Sequence, residues 1–99
     1  MELSKRLGAV AMLVQECDSL ADIGTDHGYI PIYLLEHKKI QKAVAMDINK
    51  GPLERAREHV EESGLQEKIS LRLSNGADKL AVGEVQAVVI AGMGGPLMV

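Results

Sequence analysis

Ninety-nine residues allow one domain at most, and a small one for an enzyme. With 46% hydrophobic and 25% charged residues and no long low-complexity tract, the composition is that of a soluble globular chain. There is no Phe or Trp, there are two Tyr, and the formal charge is −3. That combination argues against a module that holds single-stranded nucleic acid unaided, which needs aromatic faces and a basic surface.

Residues 4–14 have helical periodicity, with Leu3, Leu7, Val10, Ala11 and Val14 on one face and Ser4 as N-cap. Lys5 and Arg6 fall on the other side, either a solvated face or a basic patch beside a substrate. After the polar turn 16–19, residues 20–23 are short and apolar and run into Gly24, a first strand. Pro31 opens a second helix, since its missing N–H has no partner in a first turn, with Ile32, Leu34 and Leu35 facing inward. His37, Lys38 and Lys39 close that helix and complement its dipole.

Residues 43–46 form a second apolar strand ending on Asp47. Gly51-Pro52 opens a third helix whose buried stripe is Leu53, Ala56 and Val60, with Gly64 as its C′ residue. Ile69, Leu71 and Leu73 alternate with Ser70 and Arg72, a third strand with one more exposed face, as at a sheet edge. A turn at 74–78 and a weak helical piece at 79–82 lead to a fourth apolar strand at 87–91, followed by the loop Gly92-Met93-Gly94-Gly95-Pro96. Apolar strands alternating with helices predict an α/β, doubly wound, Rossmann-like parallel sheet of order 3-2-1-4. The fourth strand would then be an exposed hydrophobic edge, which proteins avoid. Residues 1–99 are accordingly expected to be the first part of a larger domain, or to self-associate through that strand.

Ligands of such sheets bind beyond the carboxyl ends of the strands, which directs attention to residues 21–31. From Asp22 the loop reads Asp-x-Gly-x-Asp-x-Gly, with Gly24, Asp26 and Gly28. A pyrophosphate site wants Gly-x-Gly-x-x-Gly and no nearby anion, and Asp26 would repel it in a poorly screened cleft. The same carboxylate suits the ammonium and sulfonium of S-adenosyl-L-methionine. The turn resembles the acidic-x-Gly-x-Gly-x-Gly turn of class I methyltransferases with its middle glycine replaced.

Asp47, at the end of the second strand, is placed to accept hydrogen bonds from ribose hydroxyls, or to cap a helix. Asn75-Gly76 could contact an adenine or be a plain turn. The 92–95 loop follows the fourth strand, next to the first loop, and lets a planar group approach the backbone. His27 lacks Cys or acidic partners at metal spacing, so no zinc site is expected. It reads as a loop hydrogen-bonding residue or as a catalytic one. Tyr29 reads as core packing or as a flank for a target base.

Three stretches carry a more specific resemblance: Leu3-Ser4-Lys5-Arg6-Leu7, the run Ala21-Asp22-Ile23-Gly24-Thr25-Asp26-His27-Gly28-Tyr29-Ile30-Pro31-Ile32-Tyr33-Leu34, and Ala91-Gly92-Met93-Gly94-Gly95. They resemble the bacterial tRNA (adenine(22)-N1)-methyltransferases, the TrmK family, over essentially the whole chain. Gly28 stands where family members often have Ala, a change that would loosen the loop. The resemblance implies an incomplete class I methyltransferase fold, with later strands and a coiled-coil-like helical domain outside these residues. Activity of the isolated chain is not expected.

The resemblance further implies S-adenosyl-L-methionine as cofactor and methyl transfer to N1 of adenine-22 in tRNA, which is held mostly by regions outside this chain. Asp26 is then the candidate for stabilising the cationic product or taking an N6 proton. The candidate catalytic residues are Asp26 and Tyr29. The candidate cofactor-binding residues are Asp22, Gly24, Thr25, His27, Gly28, Asp47, Ile48, Asn75, Gly76, Gly92 and Met93. The alternatives are a methyltransferase acting on a protein or small molecule, a NAD-binding oxidoreductase, and a non-catalytic Rossmann-like module. The lone Cys17 and the lack of a signal peptide point to the cytoplasm, and no apolar run approaches the ~20 residues that span a membrane.

Overall fold

The computed structural model describes residues 5–25, 27–75, 80–81, 83–90 and 97–98. Among these described residues, three helices and five strands follow one another as α1 (Lys5–Leu13), β1 (Ser19–Ile23), α2 (Tyr29–Glu36), β2 (Lys42–Asp47), α3 (Lys50–Glu62), β3 (Ile69–Leu73), β4 (Ala87–Val89) and β5 (Leu97–Met98). The sheet order is β3-β2-β1-β4-β5. β1 pairs in parallel with β2 and with β4, and β2 in parallel with β3. The order 3-2-1-4 and the Rossmann-like class read from the sequence are borne out.

The outer edge of β4 differs from expectation. β5 pairs with it antiparallel, Val88 opposite Met98 and Val89 opposite Leu97. The apolar edge that the strand pattern leaves open is therefore paired over those two residues.

β1 is buried at every position, as a central strand covered on both faces should be. Its alternate residues feed two cores. On one face Leu20 joins Ala43, Ala45, Ile69, Ala87 and Val89 beneath Ile30, Ile32, Leu34 and Leu35 of α2, Val60 of α3, and Ala11 of α1. On the other, Ala21, Ile23, Val44 and Met46 pack with Leu80, Val85, Val88 and Ile90. Burying a side chain such as Ile32 or Leu34 contributes about 1.5–3 kcal/mol.

Several element ends move for identifiable reasons. α2 starts at Tyr29, ahead of Pro31, because Gly28 adopts the left-handed conformation (φ 76°) at its N-cap. Pro31 thus stands third in the helix, still among the first-turn positions that need no N–H. α2 also stops before its predicted cations: His37 is its C-cap and Lys38 is left-handed (φ 59°). Lys39 instead caps α1, its Nζ donating to the carbonyls of Ala11 (3.3 Å) and Val14 (3.4 Å).

α3 buries Leu53, Ala56 and Val60 as predicted. It ends in a Schellman arrangement, with the Leu65 N–H on the Val60 carbonyl (3.0 Å) and the Gly64 N–H on the Glu61 carbonyl (3.1 Å). β3 is an edge strand, but its inward stripe fades: Ile69 is buried, Leu71 half-buried and Leu73 43% exposed. Of the weak helical piece expected at 79–82, Leu80 and Ala81 are irregular, and Lys79 and Val82 lie outside the described residues.

Gly28 is not a loosening of the chain. A Cβ there would meet the Cβ of Ala56 at 3.2 Å and its Cα at 3.4 Å, so glycine lets the loop lie against α3. Gly64 has a similar φ of 70° but nothing within 4 Å. Gly64→Ala should cost about 1 kcal/mol, the left-handed penalty alone. Gly28→Ala should cost about 1 kcal/mol more, because Ala56 must also give way. Urea unfolding of the two variants measures the difference, and equal losses would contradict it.

A bidentate ion pair links β3 to the approach to β4. Arg72 donates to both carboxylate oxygens of Glu84, Nη1 to Oε1 at 2.8 Å and Nη2 to Oε2, while the Ala81 N–H donates to Glu84 Oε1 at 3.0 Å. The Arg72 hydrogen bonds hold the Glu84 carboxyl at about 2, well below its ordinary 4.5. A carboxyl depressed in the folded state stabilises fully above its unfolded pKa, and that contribution is lost as pH falls through the folded one. Between pH 4.5 and 2 the parent should therefore lose more stability than Glu84→Gln, the gap narrowing in high salt. Parallel acid limbs for the two proteins would contradict this.

Candidate functional site

At the carboxyl end of the sheet, three loops form a continuous rim. β1 and β2 are in register through Ile23 opposite Met46, and the ladder continues one step further, the Thr25 N–H donating to the Met46 carbonyl at 2.8 Å. β2 and β3 do the same, Asp47 standing opposite Leu73 and the Ser74 N–H donating to the Asp47 carbonyl at 2.9 Å. The first loop, the Asp47 corner and the start of the Asn75 turn thereby stand side by side.

Within the first loop Gly24 is left-handed (φ 70°) and turns the chain off β1. The Gly28 N–H closes a turn onto the Thr25 carbonyl at 3.2 Å, and the Ile32 N–H begins the α2 ladder on the Gly28 carbonyl at 3.2 Å. Asp22 and Thr25 are buried, 1% and 4% exposed. The Thr25 hydroxyl oxygen has no hydrogen-bond partner among the described residues. A buried hydroxyl left without a partner is costly, so this group is suited to a polar ligand.

Asp22 stands opposite Ala45 in the register, and Asp47 is two residues beyond Ala45. Both carboxylates thus belong to the same face of the sheet, offset by roughly 7 Å along the strands. Asp47 is 7% exposed, and its Oδ1 accepts the Asn49 N–H at 2.9 Å, a local turn that delivers the chain into α3. Next to it Ile48 is 60% and Leu73 43% exposed, an apolar shoulder beside a carboxylate. Asn75 is exposed.

His27 and Tyr29, both half-buried, share a cluster with His59 of α3. His27 and Tyr29 have ring centroids 5.2 Å apart at 11°, Tyr29 and His59 5.2 Å at 21°, and His27 and His59 5.8 Å at 30°. The His59 Nδ1–H donates to the His27 carbonyl at 2.7 Å. Tyr29 thus stacks with both histidines, and His27 enters the cluster through its ring and its backbone carbonyl. Among the described residues no group of three His, Cys, Asp or Glu could hold a metal ion.

The structure therefore gathers Asp22, Gly24, Thr25, His27, Gly28, Tyr29, Asp47, Ile48 and Asn75 at one end of the sheet. Asp26, Gly76, Gly92 and Met93 lie outside the described residues. Sequence reasoning missed Leu73 and His59. The strand alternation groups Leu73 with the inward residues, although its place opposite the strand-end Asp47 puts it at the rim. His59 is hidden in a charged helical run, but stands three residues beyond Ala56 on the buried stripe.

A separate cavity of about 360 Å³ lies around Ser19, Lys42, Lys68, Ile69, Arg72 and Glu84. It centres on the strand starts, away from the rim, and has no place in the site above.

Comparison with known proteins agrees with this fold. The family model described as a methyltransferase domain matches residues 3–99. The tRNA (adenine(22)-N(1))-methyltransferase of Bacillus subtilis (strain 168) is 43% identical over 98 residues, 99% of this chain and 41% of that protein. The structure of M. capricolum TrmK with S-adenosyl-homocysteine superposes with a TM-score of 0.79 at 44% identity, covering 87% of this chain and 38% of that one. Streptococcus pneumoniae Sp1610 in complex with S-adenosyl-L-methionine gives 0.86 at 41% identity, covering 92% and 43%. The chain thus spans about two fifths of the length of these relatives. The resemblance to the TrmK family read from the motifs is borne out, and the chain belongs to the methyltransferase-domain family.

Proposed function

We propose that this chain is the donor-binding part of an S-adenosyl-L-methionine-dependent methyltransferase that modifies N1 of adenine-22 in tRNA. The observation that carries the proposal is the 43% identity to the Bacillus subtilis enzyme, which extends over 99% of this chain. The rim is consistent with it: a buried hydroxyl at Thr25 without a described partner, a strand-end carboxylate at Asp47, and an apolar shoulder at Ile48 and Leu73.

In this reading Asp22, Gly24, Thr25, His27 and Gly28 hold the methionine end of the donor. Asp47 accepts from the ribose hydroxyls. Ile48, Asn75 and Gly76 surround the adenine, and Gly92 and Met93 border the methyl end. S-adenosyl-L-methionine, when bound, supplies an electrophilic methyl group, and rate acceleration comes largely from holding it in line with the base nitrogen.

N1 of adenine is engaged in base pairing within a duplex, so the target base must be unpaired or extruded. The methylated base is cationic, and the Asp26 carboxylate stabilises that charge or accepts an N6 proton. Tyr29 flanks the base. With a net charge of −3, most of the tRNA affinity falls to regions outside this chain, the later strands and a helical domain. The protein acts in the cytoplasm. Self-association along β4 would use the length of edge that β5 does not pair.

Calorimetry with S-adenosyl-L-methionine, S-adenosyl-homocysteine and NAD tests the donor, and nucleoside analysis of unmodified tRNA treated with the full-length polypeptide tests the reaction. The first two ligands should bind and NAD should not, and 1-methyladenosine should appear at position 22. Thr25→Val should fold as stably as the parent or slightly better, since it removes a buried unpartnered hydroxyl, while binding the donor about tenfold more weakly. Binding of NAD alone, or methylation of another nucleoside, would overturn the proposal.

A further inference from the structure

The strongest feature the proposed chemistry does not use is the contact between the first loop and α3. The His27 carbonyl lies inside the turn closed by the Gly28 N–H on the Thr25 carbonyl. The His59 Nδ1 approaches it to 2.7 Å. A carbonyl oxygen only accepts, so Nδ1 carries the hydrogen, and the ring is the Nδ1–H tautomer or the imidazolium. The imidazole also lies nearly parallel to Tyr29, centroids 5.2 Å apart at 21°.

One turn earlier on the same face of α3, Ala56 sits where a Cβ on Gly28 would meet it at 3.2 Å. Two neighbouring loop residues are thus seated on two residues of one helix face, one by close approach and one by a directed hydrogen bond. α3 leaves the Asp47 corner directly, through Asn49 as its N-cap. The same rigid element therefore carries Asp47 at its entry and grips the first loop along its length.

We propose that His59 is a positioning residue of the donor site: its Nδ1–H fixes the His27 carbonyl and so sets the first loop against the Asp47 corner. This rests on the donor reading given above. The hydrogen bond, rather than ring bulk alone, does the positioning, because the His27 carbonyl takes the Nδ1–H directly at 2.7 Å and a ring face cannot supply a donor. Asparagine places its amide N–H near the imidazole Nδ1–H, glutamine carries its amide one bond further out, and phenylalanine keeps a ring without a donor.

The test is S-adenosyl-homocysteine binding by calorimetry to the parent, His59→Asn, His59→Gln, His59→Phe and His59→Ala, each checked for folding by urea unfolding. His59→Phe, His59→Gln and His59→Ala should bind about tenfold more weakly, and His59→Asn within about threefold of the parent. Parent-like binding by His59→Phe, or His59→Asn as weak as His59→Ala, overturns the assignment. Should the parent bind neither S-adenosyl-L-methionine nor S-adenosyl-homocysteine, the donor reading fails, and amide hydrogen exchange then tests the tether. Exchange at Gly28 and Tyr29 should be faster in His59→Phe than in the parent and near parental in His59→Asn. Unchanged exchange in His59→Phe refutes the tether. Should His59→Phe fail to fold, the contrast between His59→Asn and His59→Gln decides in both assays.

Discussion

The hydrogen bond from the Thr25 N–H to the Met46 carbonyl, 2.8 Å long, carries the β1–β2 ladder past the end of the strand. It keeps residue 25 at the level of the sheet, so the chain must turn within the next three residues to reach α2. Gly28, the residue before α2, makes that turn in the left-handed conformation at φ 76°. The absence of a side chain there also lets the turn rest on Ala56. The buried Thr25 hydroxyl, the His27 carbonyl and the beginning of α2 are all placed by that one extension of the ladder.

The same constraint explains why chemistry gathers at one end of the sheet. Parallel strands point their carboxyl ends the same way, and each crossover helix begins there. Asp22 and Asp47 fall on the same sheet face by register, while Ile48 and Leu73 supply an apolar surface beside them. The basic and acidic groups around Lys42, Lys68, Arg72 and Glu84 belong to the strand starts and the β3–β4 link, away from the rim, and Arg72 pairs there with Glu84.

Much of this was legible in the residues. Uninterrupted apolar runs at β1, β2 and β4 gave the parallel sheet and its order, and the Leu53, Ala56, Val60 stripe with Gly64 gave α3 from its buried face to its C′ residue. The Asp22 to Gly28 spacing and the acid at Asp47 picked out the ligand end. What the pattern could not show depended on tertiary approach. Pro31 marked a helix start, but the left-handed Gly28 moved the start back to Tyr29. Lys39 looked like a cap for its own helix and caps α1 instead. Leu73 kept the strand alternation, yet the edge of the sheet leaves it exposed. His59 was invisible as a site residue because its partner is a backbone carbonyl, which leaves no trace in side-chain spacing.

In the proposed function the methyl donor binds at the rim built by the first loop, the Asp47 corner and the Asn75 turn. Titration of the isotopically labelled chain with S-adenosyl-homocysteine, followed by amide chemical shifts, tests it most directly. The account predicts that the largest shifts cluster at Gly24, Thr25, His27, Gly28, Ile48 and Asn75, with Ser19, Lys42 and Lys68 unmoved. Shifts concentrated around Ser19, Lys42, Lys68 and Ile69, with the first loop silent, would contradict it.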